Sequence, residues 1–287
     1  MKKRLAKRGS HFSKLAALIL VVCAVLLGIL SREFFLMRKN FSGVEISNSE
    51  ETAEKIRTGL KHRAYKLRIS FRAHTDDEER IKSLVDDLLE KSLYESDDPA
   101  GGDYIRYQLG GYRMNYDVRK TLFGYHYEME LMPTYYSSAE QEEYVDREVG
   151  KILEELSAQS LPEEERIRVV HDYVVNLLSY DKVHKSNKSS HGKTTAYHAL
   201  RYHQAVCQGY AVLCYRLYKE LGIECRIVTG LLLPAEESGG QAERHAWLMV
   251  RVNGKELYID PTLDDENESY DWYLKTAEYF DIDHIRE

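Results

Sequence analysis

Three residues in the last third of the 287-residue chain have the side chains of a nucleophile, a base and an orienting acid: Cys207, His245 and Asp260. Cys207 belongs to the stretch AVCQGYAVLCYRLYKELG (205–222), in which apolar side chains recur at helical spacing from Tyr210 onward. This spacing predicts that Cys207 lies at, or just before, a helix N-terminus. Unpaired backbone N–H groups and the positive end of the helix dipole stabilise a thiolate at such a place.

A predicted β-hairpin brings His245 close to Asp260. Asn253-Gly254 lies between two alternating runs, and this dipeptide is typical of a two-residue hairpin turn. Counted outward from the turn, Trp247 faces Asp260, and His245 is a diagonal neighbour of Asp260 within side-chain reach. A carboxylate at that position holds the tautomer and orientation of an imidazole. The pattern predicts a catalytic His–Asp pair, and a buried structural pair is the alternative.

The other cysteines and histidines lack the spacing of a metal site. The chain contains no C-x-x-C and no H-E-x-x-H motif. Cys214 lies on the apolar stripe of the predicted helix, about 10 Å along its axis from Cys207, which excludes a disulfide between these two residues. Cys225 begins the strand-like run CRIVTGLLL. A Cys214–Cys225 disulfide and two buried packing residues are both open, and we expect no metal and no cofactor.

The middle of the chain predicts a small α+β domain over residues 63–135. Its strands are predicted from the alternating runs RAYKLRISFRAH (63–74), Tyr104–Val118 and Leu122–Met132. A helical pattern capped by Asp76-Asp77 separates the first strand from the others. Residues 39–62 are polar and predict a tether with some helical tendency.

Residues 139–287 are predicted to form a second α+β domain, which contains Cys207, His245 and Asp260. It begins with two amphipathic helices, the second opened by Pro162. His171 lies within that second helix, where a structural role is favoured over a catalytic one.

The N-terminus predicts membrane attachment. The basic segment MKKRLAKRGSHFSK precedes LAALILVVCAVLLGIL (15–30), which carries no charge and approaches the length of a membrane span. A cleaved signal peptide is the alternative, but no small-x-small cleavage site follows. We therefore expect residues 1–38 to be a cytoplasmic basic tail and a single-pass signal-anchor, with the remainder extracytoplasmic. Cys23 fits this span as a small apolar residue.

The composition argues against nucleic acid as the main partner. The net charge is −7, and no Lys/Arg stripe with interleaved aromatic residues lies outside the N-terminus. Because 43% of the residues are apolar, the chain can bury a substantial core.

The ordered motifs VCQGYA, GIECRIVTG, RHAWLMV and YIDPTLDD resemble the transglutaminase-like superfamily, which shares the papain-like cysteine protease/transglutaminase fold, and especially its exported bacterial branch. RIRVVHDYVVNLLSYD upstream and YDWYLKTAEYF downstream are also similar to family elements, so the resemblance covers about residues 140–285. In that branch Asn often follows the Trp and Trp often follows DPT. Here Leu248 and Leu263 occupy those positions. The resemblance therefore does not extend to the shape of the acyl pocket, but all three catalytic candidates are present.

The resemblance implies a helix-borne nucleophile, Cys207, facing a sheet that carries the base His245 and its orienting residue Asp260. It implies acyl transfer on peptide or amide bonds of a peptide, protein or cell-wall substrate. Gln208 and Trp247 are candidates for substrate or oxyanion contacts. The backbone N–H groups of Cys207 and Gln208 are the candidate oxyanion donors, and the alternative for the Gln208 side chain is that it points into the fold. A protease or amidase is favoured. The alternatives are a cross-linking transglutaminase and a non-catalytic cell-surface binding module.

Overall fold

The computed structural model describes residues 44–45, 49–182, 191–234 and 240–287. These residues form an α+β structure with antiparallel sheets, as the sequence predicts. The predicted basic tail and signal-anchor, residues 1–38, lie outside the described residues. Within the described ranges, no helix combines the length and the apolar character that crossing a membrane requires.

The secondary structure alternates between helices and strands along the chain. In the described residues the α-helices are α1 Ser49–Lys61, α2 Glu78–Ser92, α3 Gly102–Arg106, α4 Ala139–Glu155, α5 Glu163–Leu177, α6 Ala196–Tyr202, α7 Cys207–Glu220, α8 Pro261–Asn267 and α9 Ala277–Phe280. The strands are β1 Val44–Glu45, β2 Leu67–Ala73, β3 Leu109–Thr121, β4 Gly124–Tyr135, β5 Ser179–Tyr180, β6 Gln204–Ala205, β7 Cys225–Leu232, β8 Glu243–Val252, β9 Lys255–Ile259 and β10 His284–Arg286.

The strands of the described residues pair in three groups. The first is a four-stranded sheet with the order β1-β2-β4-β3, and the second is a four-stranded sheet with the order β10-β7-β8-β9. In the second sheet every neighbouring pair is antiparallel. The short strands β5 and β6 form a separate parallel pair. The second sheet matters most here, because β8 carries His245 and β9 ends beside Asp260.

The chain divides into two compact units. Of the described residues, the first contains 44–45, Ser70–Leu84 and Val118–Tyr127, and the second contains 49–69, Val85–Asp117 and the described residues from Glu128 to Glu287. In the first unit, the rings of Phe71 and Tyr127 stack with their centroids 5.0 Å apart. The second unit contains every residue that the sequence singles out for chemistry.

The predicted elements of residues 63–135 form largely as expected. β2 alternates buried and exposed residues, and Asp77 Oδ1 accepts from the backbone N–H of Glu79 at the start of α2. The strand predicted from Tyr104 is wrong at its beginning, because residues 102–106 form helix α3. Asp103 in that helix is buried and accepts hydrogen bonds from Arg226 and from the backbone N–H of Ile227. This tertiary ion pair overrides the local alternation.

Part of the predicted tether is a packed helix. α1 buries Ala53, Ile56 and Leu60, which lie on one face at helical spacing. Arg57 on the same helix donates through Nε to the carbonyl oxygen of Ser92 at 3.0 Å. Residues 49–61 therefore belong to the second compact unit.

The two amphipathic helices of the second unit begin where their caps predict. Ser138 and Gln141 form a reciprocal capping box at the start of α4. Pro162 is the N-cap of α5, and three glutamates occupy the first turn of that helix, where the helix dipole favours negative charge. Both helices direct a stripe of valine, leucine and isoleucine into the main core.

Helix α7 runs through the centre of that core. Its residues from Gly209 to Lys219 are buried, so the helix has almost no solvent-facing side. The two basic residues on it have partners: Arg216 donates to Asp146 at 2.7 Å, and Lys219 donates to the carbonyl oxygen of Ser96 at 2.6 Å. Buried charges need such partners. Because α7 packs against the core on all sides, its first residue, Cys207, has a fixed position.

The predicted hairpin forms around Asn253-Gly254. Both turn residues have positive φ, 50° and 76°, as a type I′ turn requires. Val252 lies opposite Lys255, and Leu248 lies opposite Ile259 at the far end of the ladder. This register confirms the count outward from the turn.

Candidate active site

Cys207 is the first residue of α7. Val206 is the N-cap, and its side chain makes no capping hydrogen bond. The first backbone N–H groups of a helix have no intrahelical partner, and the helix dipole is positive there. The side chain of Cys207 lies beside these groups and is only partly buried. The position predicted from sequence is therefore confirmed.

His245 lies on β8, opposite Gly230 of β7, and is almost completely buried. Its Nε2 atom stands 2.5 Å from Oδ2 of Asp260. Cys207 is a close neighbour of the same ring and interacts with it electrostatically. Because Nε2 is engaged by the carboxylate, Nδ1 is the ring nitrogen left for the thiol. The structure thus brings Cys207, His245 and Asp260 into one contiguous chain of contacts.

Asp260 connects the hairpin to the next helix. It follows the last residue of β9 and is the N-cap of α8, where Oδ1 accepts from the backbone N–H of Thr262 at 2.9 Å and of Leu263 at 3.2 Å. Pro261, which has no N–H, occupies the first helical position. One carboxylate oxygen therefore caps a helix, and the other is directed at His245.

His245 and Asp260 shift each other's pKa in the direction that keeps both side chains charged. Burial lowers the pKa of His245, but the charge and hydrogen bond of Asp260, together with Cys207, outweigh burial and raise this pKa well above 6.5. Burial raises the pKa of Asp260, but His245 and His284 outweigh it and lower this pKa below 3.8. The arrangement favours a protonated imidazole beside an ionised carboxylate.

A second histidine, His284, contacts the same carboxylate. Its Nε2 atom lies 3.2 Å from Oδ2 of Asp260, and its side chain is completely buried. Sequence reasoning missed this residue. Apolar patterning in DIDHIRE favours burial of Ile282 and Ile285, yet both are exposed and His284 between them is buried. The local sequence does not indicate that His284 is buried, because its burial depends on the pairing of β10 with β7, which are far apart in sequence.

The two further candidates lie next to the catalytic positions, in different roles. The side-chain amide of Gln208 donates to the carbonyl oxygen of Tyr107 at 2.7 Å, so this amide is engaged within the fold. Trp247 is completely buried, and its ring stacks near His245 with a centroid separation of 6.0 Å. Its Nε1 atom is buried with no hydrogen-bond partner among the described residues.

Tyr180 is a neighbour of the thiol that the sequence did not single out. It pairs with Ala205 across the short parallel strands, two residues before Cys207. Burial raises the pKa of Tyr180, and negative charge on Cys207 raises it further. A neutral phenol therefore borders the Cys207 thiol.

Metal ligation has one candidate group in the described part of the chain. Ligand atoms of His245, Asp260 and His284 lie within 4.8 Å of one another. These atoms are already joined by the hydrogen bonds described above, which account for their proximity. The three residues therefore form a hydrogen-bonded cluster.

Comparison with known family models gives a match in the second half of the chain. Residues 150–276 match the family model of the transglutaminase-like superfamily. This segment is similar to the transglutaminase-like superfamily. The matched range contains Cys207, His245 and Asp260 and ends before His284. A search of curated proteins gave no match.

The solved structures to which the chain shows similarity are distant in sequence. A protein of Cytophaga hutchinsonii proposed to be a cysteine protease is 12% identical, with a TM-score of 0.33 over 54% of this chain and 65% of that one. A structure described as a TGase is 17% identical, with a TM-score of 0.34 over 71% of this chain and 56% of that one. The periplasmic domain of TgpA from Pseudomonas aeruginosa, bound to ethylmercury, is 13% identical, with a TM-score of 0.33 over 56% and 69%. The chain thus spans less than two thirds of the first two of these proteins.

Proposed function

We propose that this protein is a thiol acyltransferase of the transglutaminase-like type that hydrolyses peptide or amide bonds through Cys207, His245 and Asp260. The observation that carries the proposal is the chain of contacts from the thiol at the N-terminus of α7, through the His245 ring, to the Asp260 carboxylate. Each member has the neighbour that its role demands. A buried structural His–Asp pair has no need of a partly exposed thiol beside it.

The first half of the reaction forms an acyl-enzyme. His245 takes the proton of the Cys207 thiol, and the thiolate attacks the carbonyl carbon, so that a C–S bond forms. The negative charge on the carbonyl oxygen is stabilised by backbone N–H groups at the start of α7, those of Cys207 and Gln208. The intermediate collapses with loss of the C–N bond, and His245 gives its proton to the departing amine.

The second half releases the acyl group. Water attacks the thioester while His245 takes one of its protons, the C–S bond breaks, and the proton returns to the sulfur. Asp260 stays ionised throughout and holds the imidazole with Nε2 directed away from the thiol. An amine in place of water would give transamidation with the same three residues.

We also propose that the enzyme acts outside the cytoplasm, anchored by residues 15–30. Support comes from the uncharged run behind a basic N-terminal segment. A peptide, protein or cell-wall peptide would then be the substrate. Full-length protein expressed with a reporter at either terminus tests this topology, and a reporter at Glu287 that is active in the cytoplasm would contradict it.

Thiol labelling tests the nucleophile. Iodoacetamide at neutral pH should alkylate Cys207 rapidly in the folded protein. Cys214 and Cys225 should stay unmodified, because both are buried and burial raises the pKa of each thiol. Mass spectrometry of the labelled peptides reads the result directly. An inert Cys207 would instead favour a non-catalytic binding module.

Matched cysteine variants test the chemistry. Cys207→Ala should abolish acylation by p-nitrophenyl acetate, whereas Cys214→Ala, on the same helix, should retain it. Hydrolysis and transamidation are separated by supplying a casein substrate with a dansylated alkyl amine. Incorporation of dansyl label that depends on Cys207 would identify a cross-linking transglutaminase. Equal activity of the Cys207→Ala variant and the wild type would exclude the proposed nucleophile.

A further inference from the structure

We propose that His284 is a positioning residue of this site, which fixes the Asp260 carboxylate so that Oδ2 stays directed at His245. The inference deepens the proposed function and rests on it. His284 lies in β10, beyond the residues that match the family model. None of the sequence motifs contains it.

The hydrogen bonds of Asp260 show what His284 adds. Oδ1 is held by two backbone N–H groups of α8, and Oδ2 accepts from His245 at 2.5 Å and from His284 at 3.2 Å. Without His284, the only side chain among the described residues that is bonded to Oδ2 is the base itself. The carboxylate would then follow the movements of the ring that it is required to orient.

His284 is itself held from the other side. Its Nδ1 atom lies 2.5 Å from Oδ1 of Asp283, whose Oδ2 accepts from Nε1 of Trp272 at 3.4 Å. Both ring nitrogens of His284 therefore face carboxylate oxygens, Nε2 that of Asp260 and Nδ1 that of Asp283. These two contacts fix the orientation of the ring between the two carboxylates.

Aromatic packing leaves the ring little freedom. The His284 ring lies edge-on to Trp247, with centroids 4.8 Å apart, and 4.6 Å from the ring centroid of Phe280. Its side chain is 0% exposed. Removing a residue that orients a metal ligand through a hydrogen bond commonly lowers activity ten- to a hundredfold. We expect a similar effect for a residue that orients Asp260.

Two substitutions separate hydrogen bonding from packing. His284→Phe keeps a ring against Trp247 and Phe280 but removes the donor, whereas His284→Gln keeps an N–H donor and removes the ring. We expect His284→Phe to lower the rate of acylation by p-nitrophenyl acetate about ten- to a hundredfold, with KM unchanged. His284→Gln should recover most of that rate. If the Phe variant is the more active of the two, the role of His284 is packing and the proposal is wrong.

His171 supplies a matched control. It is also buried between two carboxylates, with Nδ1 3.1 Å from Asp172 and Nε2 3.1 Å from Asp264, but it contacts none of the proposed catalytic residues. His171→Phe should lower the melting temperature without lowering the acylation rate of the folded protein. An equal rate loss in the His171 and His284 variants would mean that stability alone explains both.

A measurement that does not depend on enzyme activity tests the role of His284 separately from the proposed catalytic function. Nitrogen-15 NMR of the histidine rings should show His245 with a fixed Nε2–H hydrogen bond in the wild type and in His284→Gln. In His284→Phe, or in Asp283→Asn should the Phe variant not fold, that signal should shift or broaden. An unchanged signal would overturn the role of His284. Wild-type protein whose acylation does not depend on Cys207 would overturn the enzyme assignment instead.

Discussion

Gly230 of β7 lies so close to β10 that a Cβ atom on it would stand 1.9 Å from the carbonyl oxygen of Ile285. The same atom would lie 2.9 Å from the Trp247 ring. Gly230 is opposite His245 on one side and opposite Arg286 on the other. The absence of a side chain at this position therefore allows the C-terminal strand to approach and deliver His284 to Asp260.

Gly230→Ala tests this dependence. The added methyl group must push β10 away, which we expect to destabilise the protein by about 1–3 kcal/mol and to lower the acylation rate. Gly150→Ala is the control, because nothing lies within 4 Å of a Cβ atom there and the residue is inside α4. That change should stabilise the protein by about 0.5–1 kcal/mol. Urea unfolding measures both values, and a neutral Gly230→Ala would show that β10 tolerates displacement.

Asp260→Asn should remove the charge while retaining a helix cap, since Asn is also a good N-cap residue. The acylation rate should fall by about 10⁴-fold, because the amide can hold the wrong tautomer of His245. Stopped-flow measurement of ester acylation gives this rate. A loss of less than tenfold would mean that Asp260 does not orient the base.

The stability lost in Asp260→Asn should depend on pH in a defined window. The lowered pKa of Asp260 contributes stability that is complete above its ordinary value of 3.8 and is lost as the pH falls through the folded value. The raised pKa of His245 contributes stability that is complete below 6.5 and is lost as the pH rises through the folded value. The difference in unfolding free energy should therefore be greatest between about pH 4 and pH 6.5. Denaturant melts across pH check this, and a difference independent of pH would contradict the ion pair.

Gln208→Ala distinguishes a structural amide from an oxyanion donor. Its side chain is committed to the Tyr107 carbonyl oxygen, so its loss should cost about 1–3 kcal/mol of stability for an unpaired acceptor. The acylation rate should change by less than about threefold. A rate loss of about 10²-fold without destabilisation would instead assign the side chain to the oxyanion site.

The structure also decides between the two alternatives for Cys214 and Cys225, which are both free, buried thiols. Dithiothreitol should therefore leave the melting temperature unchanged. Non-reducing peptide mapping should find no Cys214–Cys225 link. A lower melting temperature under reducing conditions would show that a disulfide forms in solution.

Asp103 is the residue through which α3 is fixed to β7. It is 1% exposed and receives two hydrogen bonds from Arg226 and one from the backbone N–H of Ile227. Asp103→Ala should cost about 1–3 kcal/mol, because it leaves the buried N–H group of Ile227 unpaired. Glu224→Ala, which breaks the exposed pair with Arg251, should cost less than about 1 kcal/mol. Similar costs for the two variants would contradict this account.

Much of the site could be derived from sequence because its determinants are local. The apolar stripe of α7 set the helix that begins at Cys207, and the Asn253-Gly254 turn set the register that brings His245 to Asp260. The local pattern predicted the wrong structure where a distant residue stabilises another one. The alternation from Tyr104 predicted a strand, but residues 102–106 form a helix in which Asp103 pairs with Arg226, more than a hundred residues further along the chain.

The sequence alone thus determined the identity of the three proposed catalytic residues, the two elements that carry them and their order along the chain. Only the tertiary structure decided that His284 joins them. Periodicity and turn chemistry act over a few residues, and they specify which side of a helix or strand faces inward. The approach of β10 to β7 depends on a missing side chain at Gly230 and on packing against Trp247, and such non-local complementarity leaves no periodic trace in the sequence.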